Sequence, residues 1–208
     1  MTLQYQFLNL MSNGGPIMWV IFCVACIAMV MLIWEGVRGV ILMKYARQDY
    51  QKMRQQSSYI PNHNNSPIAQ LVTTLNWSDI KSAEDLVKEL NIHLAEIVPK
   101  MSGSLSTIAV LGSLLPMLGL LGTVTGMINV FEVIALNGSG KPDAMADGIS
   151  QALLTTASGL IIAIPVIFLH HVLSRRLNTL LAVTQQAIQV VLHRDLVSLK
   201  EAYRHEHD

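Results

Sequence analysis

Five hydroxyl side chains sit where hydroxyls are scarce. Thr123, Thr125, Thr155, Thr156 and Ser158 lie inside two apolar runs of this 208-residue chain. Small residues surround them at helical intervals. Gly119, Thr123 and Gly126 fall at i, i+4 and i+7, hence on one face of a helix, and Ala152, Thr156, Gly159 and Ala163 repeat that spacing. Small residues let membrane helices approach closely, and threonine hydroxyls can hydrogen-bond across the gap. A neutral hydroxyl can also both donate and accept, which suits the lining of a path that hosts a partner helix. From spacing alone the two readings, close packing and a hydroxyl lining, stand side by side. Neither run has an acidic residue at its middle, although intramembrane charge usually marks an ion pathway. On the second reading the charge must come from a partner chain.

Three runs must position these residues, at about 17–34, 105–135 and 149–172. A spanning helix needs about 20 mostly apolar residues, so all three suffice. Hydrophobic residues make up 51% of the chain and charged ones only 13%, a membrane protein's balance. The zero net charge leaves no basic surplus to argue for nucleic acid. Residues 1–16 carry no Lys or Arg, residues 38–100 carry eight, the 136–147 loop only Lys141, and the tail five. Cytoplasmic loops hold the basic excess. The expected fold class is therefore an all-α integral membrane protein with three transmembrane helices, N-terminus out and C-terminus in. Its segments are an outer N-terminus (1–16), a first span (17–35), a cytoplasmic helical segment (36–104), a second span (105–135), an outer loop (136–147), a third span (148–173) and a cytoplasmic C-terminal helix (174–208).

The first run has no basic residue before it and no small-x-small site after Trp34, which fits a retained anchor better than a cleaved signal. Cys23 and Cys26 lie within it without a His or a further Cys nearby, so they read as packing residues and not as a metal or redox pair. His170 and His171 sit beside Arg175 and Arg176 at the inner boundary, where polar tips meet headgroups. His205 and His207 lie near the terminus without partners. No metal, cofactor or enzymatic chemistry is expected, because no nucleophile elbow, phosphate loop or dinucleotide fingerprint is present.

Between the first two spans, the Pro61 to Pro67 stretch is a turn cluster. Before it, residues 38–56 read as a charged inward continuation of the first span. After it, Ile68, Leu71, Val72 and Leu75 repeat at helical spacing. Ser82 to Asp85 resembles a capping box, with Asp85 in place of Glu, and opens an amphipathic stretch through Leu86, Leu90, Leu94 and Ile97. Pro99 is expected to interrupt that helix before the second span. Leu173, Leu177, Leu180, Thr184, Ile188, Val191 and Leu199 form a stripe along the tail. These stretches predict either a bundle below the membrane or packing between copies, and no second domain with its own core.

Leu-Gly-Leu-Leu-Gly-Thr-Val-Thr-Gly-Met-Ile at 118–128, then Gly-Ile-Ser-Gln-Ala-Leu-Leu-Thr-Thr-Ala-Ser-Gly-Leu at 148–160 with Ala163, Ile164 and Pro165, resemble the second- and third-span signatures of the MotA/TolQ/ExbB proton channel family. The resemblance is strong over 105–175 and otherwise one of topology. It implies a homo-oligomeric ring, a pentamer, around two single-span helices of an ExbD/TolR-like partner, each carrying an aspartate that takes up and releases protons. Thr123 and Thr156 match the threonines facing that aspartate. Gln151 stands where ExbB proteins carry a glutamate, and Thr155 joins the same ion-pathway set. Gly119, Gly122, Gly126, Gly159 and Pro165 read as helix-packing residues. Three spans and a modest inner segment disfavour the four-span MotA branch. The stretch from Gly14 to Trp19 resembles smaller ExbB-like proteins, which implies a bacterial inner-membrane subunit energising TonB-dependent transport, with a TonB-like protein and membrane lipid as further partners. A TolQ-like motor subunit and a non-conducting scaffold are the alternatives.

The charge distribution predicts that a cysteine introduced at Ser57, in a chain freed of Cys23 and Cys26, reacts with an impermeant thiol reagent only from the cytoplasmic side. Labelling in intact, outward-facing cells would reverse the topology.

Overall fold

The computed structural model describes Met11 and residues 14–56, 59, 61, 66–75, 82–137 and 142–192. The cluster at 62–65, residues 138–141, and the tail with His193, Leu199, His205 and His207 lie outside the described residues. Among the described residues four helices follow in order: α1 (Gly15–Gln55), α2 (Pro67–Thr73), α3 (Ala83–Asn137) and α4 (Pro142–Leu192).

Each helix starts where local chemistry allows. Gly15 opens α1 with φ +68°, a left-handed conformation that costs glycine little. The helix then runs without a break through the apolar stretch into the charged one, and Lys52 and Arg54 in its last turn complement its dipole. Pro67 begins α2, where its missing N–H is no loss. The α3 start is a reciprocal box: the Asp85 backbone N–H donates to Ser82 Oγ at 3.2 Å, and the Ser82 N–H donates to Asp85 Oδ2 at 3.0 Å. Aspartate, one methylene shorter than glutamate, still closes the box. Pro142 opens α4 with Asp143 in the first turn, six residues before the expected start of the third span at 148.

Pro99 does not interrupt. α3 continues through it to Asn137. Proline removes one i→i−4 bond, at a cost of about 3 kcal/mol. The helix is anchored on both sides of that gap, by Leu86 and Leu90 before it and by Leu105 and Ile108 after it, all nearly inaccessible. Losing one bond does not end a helix so held. α4 likewise passes through Pro165, which is exposed.

The chain forms two compact units, and every long helix contributes to both. The first comprises described residues of Met1–Ile33 and Ser106–His171. It wears its apolar residues outside: Val30 is 67% exposed, Leu120 62% and Ile164 68%. Among the described residues, three helices are long and apolar enough to cross a membrane, lying within Gly15–Gln55, Ser102–Leu136 and Met145–Val190. Only 22–28% of their most apolar windows is buried, which leaves a broad apolar surface for lipid or other helices to cover. Helices satisfy their own backbone polar groups, as a bilayer requires. The chain is a multi-pass membrane protein.

The second unit, from Trp34–Leu105 and Val172–Asp208, corrects an expectation, because it has a core of its own. All four helices supply it: Ala46 and Met53, then Ile68, Leu71 and Val72, then Leu86 and Leu90, then Leu180, Ala187 and Ile188. The amphipathic stripes read from sequence thus close on one another within one chain. Thr184, buried among them, donates to the Leu180 carbonyl at 2.9 Å. Asp49, also buried, accepts from the Tyr59 hydroxyl at 3.0 Å.

Leu90→Ala should destabilise this unit by about 2–5 kcal/mol and Ser82→Ala by about 1 kcal/mol. Thermal unfolding in detergent, followed by loss of helicity, reads both. A Leu90→Ala transition no lower than that of Ser82→Ala would contradict the core assignment.

Candidate functional site

Thr155 and Thr156 meet the glycines of α3 along an antiparallel seam between α3 and α4. Glycine makes the seam possible. A Cβ at Gly119 would lie 3.1 Å from Thr156 Cα, and one at Gly126 would lie 2.6 Å from Ala152 Cβ. One at Gly159 would lie 2.7 Å from the Leu115 carbonyl oxygen, and one at Gly122 would strike the Thr155 side chain. As α3 is followed backward from Gly126, its contacts move forward along α4. Backbone meets backbone, with no room for another methyl.

A hydrogen bond crosses this seam. Thr156 Oγ1 donates to the Gly119 carbonyl oxygen at 2.7 Å. The carbonyl is reachable only because Gly119 and Gly159 carry no side chains. Such a bond between membrane helices is worth about 0.6–2 kcal/mol. The other threonines donate within their own helices: Thr123 to the Leu120 carbonyl at 2.6 Å, Thr125 to those of Leu121 and Gly122 at 3.1 Å, and Thr155 to that of Ala152 at 2.8 Å. Every one of these protons is engaged with backbone. What remains on each oxygen is acceptor capacity, together with a rotor that can swing its proton to a stronger acceptor.

The sequence-predicted residues separate into three places. Thr123 and Thr156 are partly exposed at the seam's margin, and Thr123 stands one turn along α3 from the carbonyl that Thr156 bonds. Thr155 is 1% exposed, enclosed between the helices against Gly122. Gln151 lies elsewhere, its side-chain amide against the Gly15 backbone at the start of α1. Gly119, Gly122, Gly126 and Gly159 are spent within one chain and leave no glycine face there for another copy. Two further glycines line the seam, Gly112 outside the family signatures and Gly148 at the start of the third-span signature. A Cβ at Gly112 would lie 3.1 Å from Ile167 Cγ1, and one at Gly148 would lie 2.5 Å from Val130 Cγ2. The seven-residue spacing of Gly112, Gly119 and Gly126 was the available signal. Among the described residues no group of three His, Cys, Asp or Glu side chains converges to hold a metal.

Residues 60–186 match the model of the MotA/TolQ/ExbB proton channel family. The chain is similar to biopolymer transport protein exbB1 of Vibrio cholerae, 43% identical over 77 residues, 36% of this chain and 34% of the relative. It is similar to the Tol-Pal system protein TolQ of Pseudomonas aeruginosa, 32% identical over 114 residues, 53% of this chain and 49% of the relative. It is also similar to biopolymer transport protein ExbB of Neisseria gonorrhoeae, 30% identical over 119 residues, 57% of this chain and 54% of the relative. The chain thus spans about half or less of these relatives' length.

The seam predicts opposite outcomes for two alanine substitutions. Gly159→Ala forces a methyl against the Leu115 carbonyl and should destabilise by about 1–3 kcal/mol. Gly103→Ala meets nothing within 4 Å and should stabilise by about 0.5–1 kcal/mol. Thermal unfolding of both variants in one detergent checks the pair, and a common sign would count against the seam.

Proposed function

The chain belongs to the MotA/TolQ/ExbB proton channel family, and from that premise we propose that it is an ExbB-like subunit of a motor driven by the proton-motive force in the bacterial inner membrane. In this reading copies of the chain form a pentameric ring around an ExbD-like partner, and proton flow through the partner's aspartate energises a TonB-like protein. The spans run 17–35, 105–135 and 148–173, with 36–104 and 174–208 inside. Because the glycines are committed to the α3–α4 seam, contacts between copies use other faces.

The observation that supports this reading is the Thr156 bond to the Gly119 carbonyl, one helical turn from Thr123, in a seam with no acid among its described residues. An ionised carboxylate in an apolar medium is costly without donors. Thr156 can meet both states of such a group. While the acid is protonated, the Thr156 proton stays on the Gly119 carbonyl and its lone pair accepts. When the acid ionises, the hydroxyl rotates and donates to it. Thr155 then holds the helices at their spacing. Gln151, which has no charge to titrate, supports the start of α1.

The TolQ-like reading has its own support in the 114-residue match to a TolQ protein, of a length with the 119-residue match to an ExbB protein. Complementation separates the two. The gene should restore energy-dependent uptake in an ExbB-deficient strain supplied with the cognate partner, and should not restore envelope integrity in a TolQ-deficient one. The reverse result would assign it to the TolQ branch.

Thr156→Val removes the hydroxyl at nearly constant shape and gives up a bond worth about 0.6–2 kcal/mol. The variant should assemble but lose energy-dependent uptake, while Thr156→Ser, which keeps the hydroxyl, should retain most of it. Full uptake by a Thr123→Val, Thr156→Val chain would reduce both residues to packing.

A further inference from the structure

In the second unit the α1 and α4 segments border a cavity that the seam chemistry does not use. Glu35, Gly39, Leu42, Leu105, Arg176 and Leu177 are among its walls, around a space of about 40 Å³. A wider groove of about 550 Å³ shares Gly39 and Arg176 and adds Val40, Lys44 and Arg47, with no acidic residue in its wall. That volume falls within the range of small-molecule sites, about 300–1,000 Å³.

Two observations mark this space as built for an occupant. The first concerns glycine. Gly36 and Gly39 sit inside α1, where glycine costs about 0.5–1 kcal/mol relative to alanine. At the α3–α4 seam such a cost is offset by close helix contact. Here nothing lies within 4 Å of where either Cβ would be. The glycines hold a trough open that no protein atom fills. The second concerns Glu35. It is 8% exposed, and its Oε1 is ion-paired with the Arg38 guanidinium at 3.6 Å, too long for a hydrogen bond, and accepts none. A buried carboxylate oxygen calls for a donor. The neighbouring cations, Arg38, Lys44, Arg47 and Arg176, outnumber this one acid and call for an anion.

We infer that the trough binds the headgroup of a hydroxyl-bearing anionic phospholipid, phosphatidylglycerol, from the cytoplasmic leaflet. The phosphate sits against Arg176, Lys44 and Arg47, and a headgroup hydroxyl donates to Glu35. The acyl chains leave along Val37 and Val40, apolar residues 57% and 51% exposed. Trp34, 69% exposed, sits where the apolar run of α1 meets its charged run, the depth at which tryptophans gather and headgroups lie. Basic pockets between helices on that side recognise anionic headgroups in this manner. A choline headgroup offers Glu35 no donor and leaves the cations without net compensation. This inference goes beyond the motor assignment and rests on it only for the choice of leaflet, which follows the topology proposed there.

Native mass spectrometry of the full-length protein in detergent, titrated with phosphatidylglycerol, phosphatidylethanolamine or phosphatidylcholine, tests it. Phosphatidylglycerol should be retained preferentially, one per chain. Lys44→Gln with Arg176→Gln should weaken it about 30-fold, roughly fivefold per cation. Gly39→Leu, which fills the trough without removing charge, should also displace it, and circular dichroism confirms that each variant is folded. Equal retention of the three lipids, a preference for phosphatidylethanolamine, or retention unchanged in both folded variants would each overturn the site.

Discussion

The close approach of α3 and α4 is the constraint on which the rest of the first unit depends. In water two helices are pressed together by the apolar surface they bury. In lipid that force is missing, because acyl chains are as apolar as leucine. Dispersion and the few available hydrogen bonds remain, and both fall off steeply with distance. The run of Gly112, Gly119, Gly122 and Gly126 against Gly148, Ala152, Thr155 and Gly159 brings backbones near enough for those short-range terms to act. The Thr156 bond to the Gly119 carbonyl is both a product of that approach and a lock on it. A methyl at any of these glycines would set the hydroxyls out of register.

The same helices serve two solvents, and the chain changes its logic where they pass from one unit to the other. In the first unit the exposed residues are mostly large and apolar, while the seam glycines are buried beside Met18, Ile21 and Leu115. In the second the large apolar residues Met53, Leu71, Leu86 and Leu90 are buried, and most charges face outward, with Glu35 and Asp49 the buried exceptions among the described residues. Both use the same 3.6-residue period, with a mostly apolar outer face in the first unit and a charged one in the second. Long uninterrupted helices let a single backbone ladder cross the change of medium without exposing a free carbonyl or amide.

That inversion explains what was legible in the sequence. The spans were readable because twenty apolar residues in a row have few other uses, and the box at Ser82 and Asp85 because capping is a local interaction. The glycine and threonine spacing located the seam residues. It did not reveal that the face is consumed within one chain, since a small-residue stripe is identical whether its partner is α4 or another copy. Pro99 misled for a related reason: proline's local cost is legible, whereas the burial of Leu90 and Leu105 on either side is tertiary. The separate core escaped because its stripes are each short, and only α1, α2, α3 and α4 together close them.

Thr155 and Thr156 show how neighbours in sequence divide labour. A rotation of 100° per residue separates them on α4, enough to bury one against Gly122 and leave the other at the margin. Thr155 spends its proton within its own helix, so its value lies in shape and in denying water the seam. Thr156 spends its proton across the gap, on a carbonyl whose own helix already supplies a donor. Withdrawing that proton would therefore leave no backbone group unpaired. The lock can open at the cost of one bond, and it closes again when the competing acceptor is neutralised. An apolar seam with one such bond is stable at rest and still responsive to a charge arriving beside it.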